Sequence, residues 1–331
     1  MLMAERWTPE RAWAWYRKQP WLVGCNYTPS TAVNQLEMWQ RETFDPETIR
    51  RELGWARGLG FNTVRVYLHD LVWENDAQGF RERINRFLGI ASDAGIKPVF
   101  VFFDDCWNTE FGAGKQPEPK PGVHNSGWVQ SPGKRRVLDP STWGGLEEYV
   151  RGVLGTFRGD DRVLMWDLYN EPGNNDLNEG SLGLVEKVFT WAREADPVHP
   201  LTVGVWYDNP TLNELQLSRS DVVSFHNYRD KVSLEAQIRE LKRRGRPLVC
   251  TEYMARTRGS RFETHLPVFK HEGVGCINWG LVSGRTQTIY PWGSPPGAPE
   301  PEEWFHDIFR GDGSPYRVEE VEFIRRTLGV S

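Results

Sequence analysis

The chain has 331 residues, of which 39% are hydrophobic and 13% aromatic, and 40 Lys and Arg against 45 Asp and Glu give a formal net charge of −5. This slight acidity argues against nucleic acid or an anionic membrane surface as the main partner, because both require a basic patch. Sixteen Trp residues exclude a disordered chain, and the longest apolar run, residues 99–103, is too short to span a bilayer.

Short apolar or β-branched runs alternate along the chain with segments of helical periodicity. Helix signals include the Asp45-Pro46 start before Ile49 and Leu53, and the repeat of Phe80, Ile84 and Phe87. Further helices are expected near residues 146–157, 182–195, 233–244, 261–271 and 316–328, whereas residues 210–217 are expected to be short or irregular. The eight predicted strands are residues 21–27, 62–68, 97–103, 163–169, 201–206, 222–228, 247–253 and 275–281.

Eight strands alternating with helices predict an α/β fold, a single (β/α)8 TIM barrel in one catalytic domain, residues 1–331. A doubly wound sheet is disfavoured because no strand is followed by a Gly-rich phosphate-binding turn. Long loops follow strand 3 (residues 104–143) and strand 8 (residues 282–315). Both would lie on the active face of such a barrel.

The amino terminus lacks the apolar segment and small-residue cleavage site of a secretory leader, so we expect a cytoplasmic protein. The four cysteines form no C-x-x-C pair or zinc-ligand spacing. We therefore expect buried, reduced thiols and no metal site.

Two glutamates, Glu171 and Glu252, end the fourth and seventh predicted strands, on opposite sides of the barrel. A carboxylate at the end of a buried strand is costly unless it is hydrogen-bonded or functional. Two facing carboxylates surrounded by aromatic residues suit glycoside hydrolysis, in which one carboxyl group is protonated and the other ionised. If they face each other as expected, their carboxyl groups are about 5–5.5 Å apart, the retaining geometry.

The Asn170-Glu171-Pro172 motif, followed by Glu252 at the end of strand 7, resembles clan A of the glycoside hydrolases, and most closely family 5, the cellulase-type barrels. The resemblance extends over about residues 21–282. It implies that Glu171 is the acid/base, with a raised pKa, and that Glu252 is the nucleophile of a double displacement. It also implies that Asn170 bonds the sugar 2-hydroxyl.

Other positions fit the same pattern. The resemblance implies that Arg65 holds Glu252 ionised, that Tyr228 donates to the same carboxylate, that His226 orients a neighbour, and that a sugar stacks on Trp279. It further implies a cis peptide bond after Trp279. Asp105 and Trp107, after strand 3, are further candidates for substrate binding.

The predicted function is hydrolysis of short β-linked gluco-, manno- or xylo-oligosaccharides, without a cofactor. Exo action is favoured, because the two long loops offer a wall for one end of the cleft. Alternatives with the same residues are an endo-acting glucanase, mannanase or xylanase, a transglycosylase, and a non-catalytic sugar-binding barrel. A metal-dependent barrel hydrolase is disfavoured, because strand 1 carries no His-x-His and H-E-x-x-H is absent from the sequence. The sequence leaves the oligomeric state open.

Overall fold

The computed structural model describes residues 5–330, in which eight parallel strands form one sheet. The hydrogen-bonded order is β5-β4-β3-β2-β1-β8-β7-β6. The strands are β1 (Val23–Asn26), β2 (Thr63–Tyr67), β3 (Lys97–Asp104), β4 (Met165–Asn170), β5 (Leu201–Thr202), β6 (Val223–His226), β7 (Leu248–Tyr253) and β8 (Gly275–Trp279). Each lies within or overlaps one of the eight predicted segments, so the predicted strands are confirmed.

The sheet closes into a barrel between β5 and β6, just beyond the regular part of β5. Val205 and Phe225 form a parallel bridge there. The amide of Val205 donates to the carbonyl of Ser224, and the amide of His226 donates to the carbonyl of Val205, both at 3.0 Å. The predicted (β/α)8 barrel is therefore confirmed.

Helices connect the strands on the outside of the barrel. They are α1 (Pro9–Tyr16), α2 (Gln35–Trp39), α3 (Pro46–Leu59), α4 (Asp70–Asp93), α5 (Lys134–Val137), α6 (Trp143–Thr156), α7 (Leu182–Ala195), α8 (Pro210–Arg219), α9 (Lys231–Lys242), α10 (Phe262–Glu272) and α11 (Val318–Leu328). The ends of helix α3 are set by local sequence and were therefore predictable. Asp45 accepts a hydrogen bond from the Thr48 amide, Pro46 occupies the first turn, and Gly60 ends the helix at φ +92°. No helix within residues 5–330 is both long and apolar enough to cross a membrane.

The expectation of a short or irregular segment at residues 210–217 is wrong, because α8 is a ten-residue helix there. Asn209 caps it by accepting a hydrogen bond from the Leu212 amide at 3.1 Å, and Pro210 occupies its first turn. Only Leu212, Gln216 and Leu217 of the helix are buried. The weak apolar stripe explains why periodicity did not reveal it.

The interior of the barrel is filled at its amino-terminal end and polar at its carboxyl-terminal end. An apolar cluster from six strand segments fills the amino-terminal end, and Trp15 and Tyr16 pack against it. Its members are Leu22, Val99, Leu164, Met165, Val222, Val249 and Ile277. Helix α1 therefore helps to cover the bottom of the barrel. The carboxyl-terminal end is left for the polar side chains described below, as in other barrels of this type.

Two long connections cover part of that end, the β3 loop (residues 105–133) and the β8 loop (residues 280–317). They are hydrogen-bonded to each other: the Asn125 amide donates to the Thr286 carbonyl at 2.9 Å, and Gln287 Nε2 donates to the Lys120 carbonyl at 2.7 Å. Arg285 adds an ion pair to Glu118 at 2.8 Å. The predicted long loops are thus present, and they form one continuous wall.

Candidate active site

Glu171 and Glu252 converge above the barrel. Glu171 follows β4 with φ +43°, a left-handed conformation that turns the chain at the strand end, and Glu252 lies within β7. One carboxylate oxygen of each and a ring nitrogen of His226 all lie within 4.8 Å of one another. Oxygens this close to each other fit the carboxyl separation of about 5–5.5 Å in retaining enzymes.

Glu252 is held by donors on both of its oxygens. Its Oε1 accepts from Arg65 Nη1 and from the Tyr67 hydroxyl, each at 2.8 Å, and its Oε2 accepts from the Tyr228 hydroxyl at 2.8 Å. Burial, together with the negative charge of Glu252, raises the pKa of both phenols well above the usual 10, so they remain donors. Arg65 is itself fixed by an ion pair with buried Asp167 at 2.8 Å. The arrangement orients the carboxylate and stabilises its charge.

Glu171 has a different set of neighbours. His226 Nδ1 lies 2.8 Å from Oε1, while Asn174 Nδ2 and Cys106 Sγ lie 2.8 Å and 3.2 Å from Oε2. Burial acts to raise the pKa of Glu171, but His226 and the hydrogen bonds from Cys106 and Asn174 outweigh it and lower the pKa below its usual value. The expectation of a raised pKa is therefore wrong for the free enzyme, because three donors surround this carboxylate.

The Cys106 thiol is a neighbour of Glu171 that the sequence analysis did not single out. Two amide groups point their N–H bonds at its sulfur, Asn174 Nδ2 at 3.3 Å and Asn170 Nδ2 at 3.5 Å. Since those neighbours donate, the S–H bond of Cys106 is free to point at Glu171 Oε2. All four cysteines are free thiols in buried positions, as expected.

Asn170, the residue before Glu171, is only 2% exposed and lines the cavity. Its Oδ1 accepts from Arg65 Nη2 at 2.7 Å, and its Nδ2 donates to Asp104 at 2.9 Å. The amide plane is thereby fixed between the strand 2 arginine and the strand 3 aspartate.

Three aromatic rings form a cage beside Glu252. Tyr67 packs edge-on against Trp128 and Trp279 with centroid distances of 5.0 Å and 5.9 Å, and the two indoles are 5.8 Å apart. Trp279 lines the cavity, as does Trp107, which is 39% exposed. Flat apolar faces of this kind suit the apolar face of a pyranose ring.

Asp105 does not line the cavity, contrary to its candidacy as a substrate-binding residue. Its oxygens accept from Tyr169 Oη at 2.7 Å, from the Gly173 amide at 2.9 Å and from Ser181 Oγ at 2.5 Å. Burial raises the pKa of Asp105 to about 7. The side chain ties the segment after β4 to the barrel, and its neighbour Asp104 faces the cavity instead.

The cis peptide bond expected after Trp279 is also wrong. Among residues 5–330, the one cis bond joins Ser131 and Pro132. At this position the chain turns instead through Gly280, which has φ +83°. A Cβ there would lie 2.6 Å from Asp307 Oδ1, so both the backbone angle and the close approach require glycine.

The cavity that contains the two glutamates continues into a groove between α8 and α9, and together they have a volume of about 1340 Å³. Buried residues line the cavity on the side of the two long loops, which we call its closed side. His124, Asn125, Trp128 and His306 line the closed side and are each at most 3% exposed. Behind Trp128 and Trp279 there is a void of only about 20 Å³, far too small for a sugar. The other side, where Asp208, Arg229 and Arg258 are exposed, opens to solvent beside the ends of β5, β6 and β7.

Glu171, His226 and Glu252 are spaced closely enough to ligate a cation. However, the Arg65 guanidinium lies 2.8 Å from Glu252 Oε1 and places a positive charge beside this carboxylate. Tyr67 and Tyr228 already donate to the oxygens of Glu252. This donor set suits an oriented carboxylate better than a metal ligand.

Two carboxylates at this spacing, on the fourth and seventh strands of a (β/α)8 barrel and inside an aromatic-lined cavity, define the class of the glycoside hydrolases. The family model Cellulase (glycosyl hydrolase family 5) matches residues 30–284. The chain belongs to glycosyl hydrolase family 5 and is accordingly a retaining O-glycosyl hydrolase. A search of curated proteins found no match.

Solved structures share the fold at low sequence identity. GH5_18 from Streptomyces cattleya, crystallised with Manb1-4GlcNAc, is 16% identical with a TM-score of 0.65 over 93% of this chain and 80% of that one. An endo-1,4-β-D-mannanase from Thermotoga petrophila is 17% identical with a TM-score of 0.60, over 93% and 99% of the two chains. An exo-β-1,4-mannosidase from an Opitutaceae bacterium is 19% identical with a TM-score of 0.62, over 93% and 60%.

Proposed function

We propose that this enzyme removes single sugars from the non-reducing end of short β-linked oligosaccharides, with Glu252 as nucleophile and Glu171 as general acid/base. The observation that carries the proposal is the one-sided cavity, in which the two carboxylates lie next to a wall built from two interlocked loops. β-Mannosides are the first candidates among gluco-, manno- and xylo-type substrates, since two of the related structures are named as a mannanase and a mannosidase and a third was crystallised with Manb1-4GlcNAc.

The direction of substrate binding follows from the neighbours of each carboxylate. Glu252 contacts Tyr67, which belongs to the aromatic cage on the closed side, so the sugar that it attacks is bound there. Glu171 contacts Asn174 of the connection after β4, outside the aromatic cage, and we place the leaving group on that side. We therefore place one sugar between the two glutamates and the wall, and the rest of the substrate on the side that opens to solvent.

Glu252 attacks the anomeric carbon while Glu171 transfers a proton to the departing glycosidic oxygen, and the product of this step is a glycosyl-enzyme. Three donors stabilise the ionised nucleophile before attack. In the free enzyme Glu171 is held by donors that favour its charged form, and a bound sugar opposes this by excluding water from around the carboxylate. In the second step Glu171 takes a proton from water, which attacks with net retention.

Nucleophile rescue tests the two assignments separately. Glu252→Gly should lose nearly all turnover of an aryl β-glycoside, and added azide should restore product as the α-glycosyl azide. Glu171→Ala should keep activity on substrates with very good leaving groups, and azide should then give the β-glycosyl azide. Asp208→Ala, a carboxylate at the mouth of the same cavity, serves as the control and should retain activity. Opposite azide products from the two variants would require the roles to be exchanged.

Product analysis tests the exo assignment. With short β-linked manno-oligosaccharides, the wild type should release the monosaccharide from the first turnovers onward. A rapid fall in the viscosity of a soluble polymer, with oligosaccharides as the first products, would contradict exo action and favour the endo alternative. Formation of longer oligosaccharides at low substrate concentration would favour a transglycosylase.

A further inference from the structure

The closed side of the cavity carries two imidazoles that no step of the proposed mechanism uses. His124 comes from the β3 loop and His306 from the β8 loop, and their ring centroids are 5.4 Å apart. They are 3% and 1% exposed, and both line the cavity. The interlocking of the two loops brings them together.

Hydrogen bonds to backbone carbonyls fix the tautomer of each ring. Nδ1 of His306 lies 2.5 Å from the Met254 carbonyl, and Nδ1 of His124 lies 2.7 Å from the Tyr290 carbonyl. A carbonyl oxygen only accepts, so both Nδ1 atoms carry the proton. Burial lowers the pKa of His124 to about 4 and that of His306 well below its usual 6.5, so both rings are neutral near pH 7. Each Nε2 is therefore a hydrogen-bond acceptor.

The Nε2 acceptor of His306 is buried and has no hydrogen-bond partner among residues 5–330. The same holds for Oδ1 of Asn125, which also lines the closed side. Buried polar atoms are nearly always paired in folded proteins, because an unpaired one costs about 1–3 kcal/mol. Acceptors gathered at the wall of a substrate cavity indicate that a ligand supplies the donors.

His306 is close to the proposed nucleophile. Its ring centroid is 5.7 Å from that of Tyr228, whose hydroxyl donates to Glu252 at 2.8 Å. Tyr228 thus connects this part of the wall to the carboxylate at which the proposed glycosyl-enzyme forms.

We infer that His124 and His306 are specificity-determining residues that accept hydrogen bonds from hydroxyl groups of the non-reducing terminal sugar. The inference rests on the proposed function. It assigns the site to neutral sugars, since an imidazole lone pair accepts from a hydroxyl group but repels a carboxylate oxygen at the same place. Uronic acid glycosides whose carboxylate faces this wall are rejected.

The test combines substrate and protein changes at one hydrogen bond. His306→Asn keeps a donor for the Met254 carbonyl and deletes the acceptor, whereas His306→Gln places an amide oxygen near the original Nε2. Each variant is assayed with an aryl β-glycoside, its monodeoxy analogues and the matching uronide. For the wild type, one deoxy analogue should lose about 10- to 100-fold in kcat/KM. His306→Asn should show that loss of kcat/KM already with the parent sugar, and no further loss with the deoxy analogue. His306→Gln should recover part of the discrimination between the parent sugar and this analogue.

His199→Asn is the matched control. His199 is also a buried histidine that donates to a backbone carbonyl, that of Asp160 at 2.7 Å, but it lies just before β5 at the other end of the barrel. It should leave the discrimination among sugars unchanged.

Calorimetry repeats the comparison among sugars without turnover. It measures the binding of the free sugars, their deoxy forms and the uronic acid. Equal binding of all these sugars by the wild type, or the same discrimination in His306→Asn, would overturn the inference. Discrimination in binding without hydrolysis of any glycoside would support the inference and contradict the proposed function instead.

Discussion

Replacing Cys106 with alanine removes one of the three groups that hold the Glu171 carboxylate. The thiol lies 3.2 Å from Oε2, and the amides of Asn170 and Asn174 approach its sulfur from other directions. Hydrogen bonds to charged groups are worth about 1.5–3 kcal/mol, and a thiol is a weak donor, so we take about 1 kcal/mol for this one. At about 1.4 kcal/mol per pKa unit, Cys106→Ala should raise the pKa of Glu171 by about 0.7 unit.

The assay is the pH profile of kcat/KM with an aryl β-glycoside whose cleavage requires a protonated acid. Its alkaline limb reports the acid/base and should move to higher pH by about 0.7 unit in Cys106→Ala, while the acid limb should stay in place. Cys106→Ser restores a donor and should return the alkaline limb toward the wild-type position. Cys25→Ala, a buried thiol in β1 away from the cavity, should leave both limbs unchanged.

An unmoved alkaline limb would contradict this prediction, because it would mean that the S–H group does not stabilise ionised Glu171. A shift of both limbs together would point to a general change of the cavity. In either case Cys106 would be a packing residue rather than a positioning residue for the acid/base.

Three further predictions concern the loops and the buried carboxyl group. Asp105 has a folded-state pKa of about 7, above the about 3.9 of an unfolded chain, so the protein should lose stability as the pH rises from about 4 to 7. Urea unfolding at pH 5 and pH 8 captures the part of this loss above pH 5, and Asp105→Asn should reduce it by up to about 3 kcal/mol. Gln287→Ala removes hydrogen bonds between the two loops, so hydrogen exchange at residues 120–125 should become faster. The fraction of monosaccharide among the products should fall. Unchanged products would show that the wall does not determine exo action. Gly280→Ala should destabilise the fold by about 1–3 kcal/mol in the same unfolding assay. The loss should exceed that of Gly297→Ala, because Gly297 has a similar positive φ but open space where the Cβ would lie. Equal losses in the two variants would leave only backbone strain as the cause.

The strands and the two glutamates were predictable for the same physical reason. Parallel strands covered on both sides need apolar residues at consecutive positions, so residues 97–103 are identifiable without knowledge of the fold. A charged residue that ends such a run, as Glu171 and Glu252 do, stands out because burial of a charge requires compensation.

Other parts of the site depend on contacts that no local pattern carries. Tyr67 was missed although it lies two positions after Arg65, and therefore on the same face of β2, which is a signal that the sequence did contain. His306 reaches the site only because the β8 loop folds back over the barrel, whereas Cys106 lies two residues after β3, a position that the sequence did indicate. The pKa of Glu171 was mispredicted since its sign depends on three donors whose positions are set by tertiary structure. Helix α8 was missed because few of its residues are buried, so its periodicity is faint.

The wall behind Trp128 and Trp279 leaves the cavity with one opening. Substrate and products therefore share this opening, and the products have to leave in a fixed order. With the proposed exo action, the cleaved remainder of the substrate occupies this opening, so it would have to leave before water can reach the glycosyl-enzyme and before the released sugar can dissociate. The monosaccharide is then the last product to dissociate, and it should compete directly with fresh substrate for the same enzyme form. At high concentration a second sugar can bind in this opening and react with the glycosyl-enzyme in place of water. The ratio of transfer to hydrolysis should therefore rise with the concentration of this acceptor sugar.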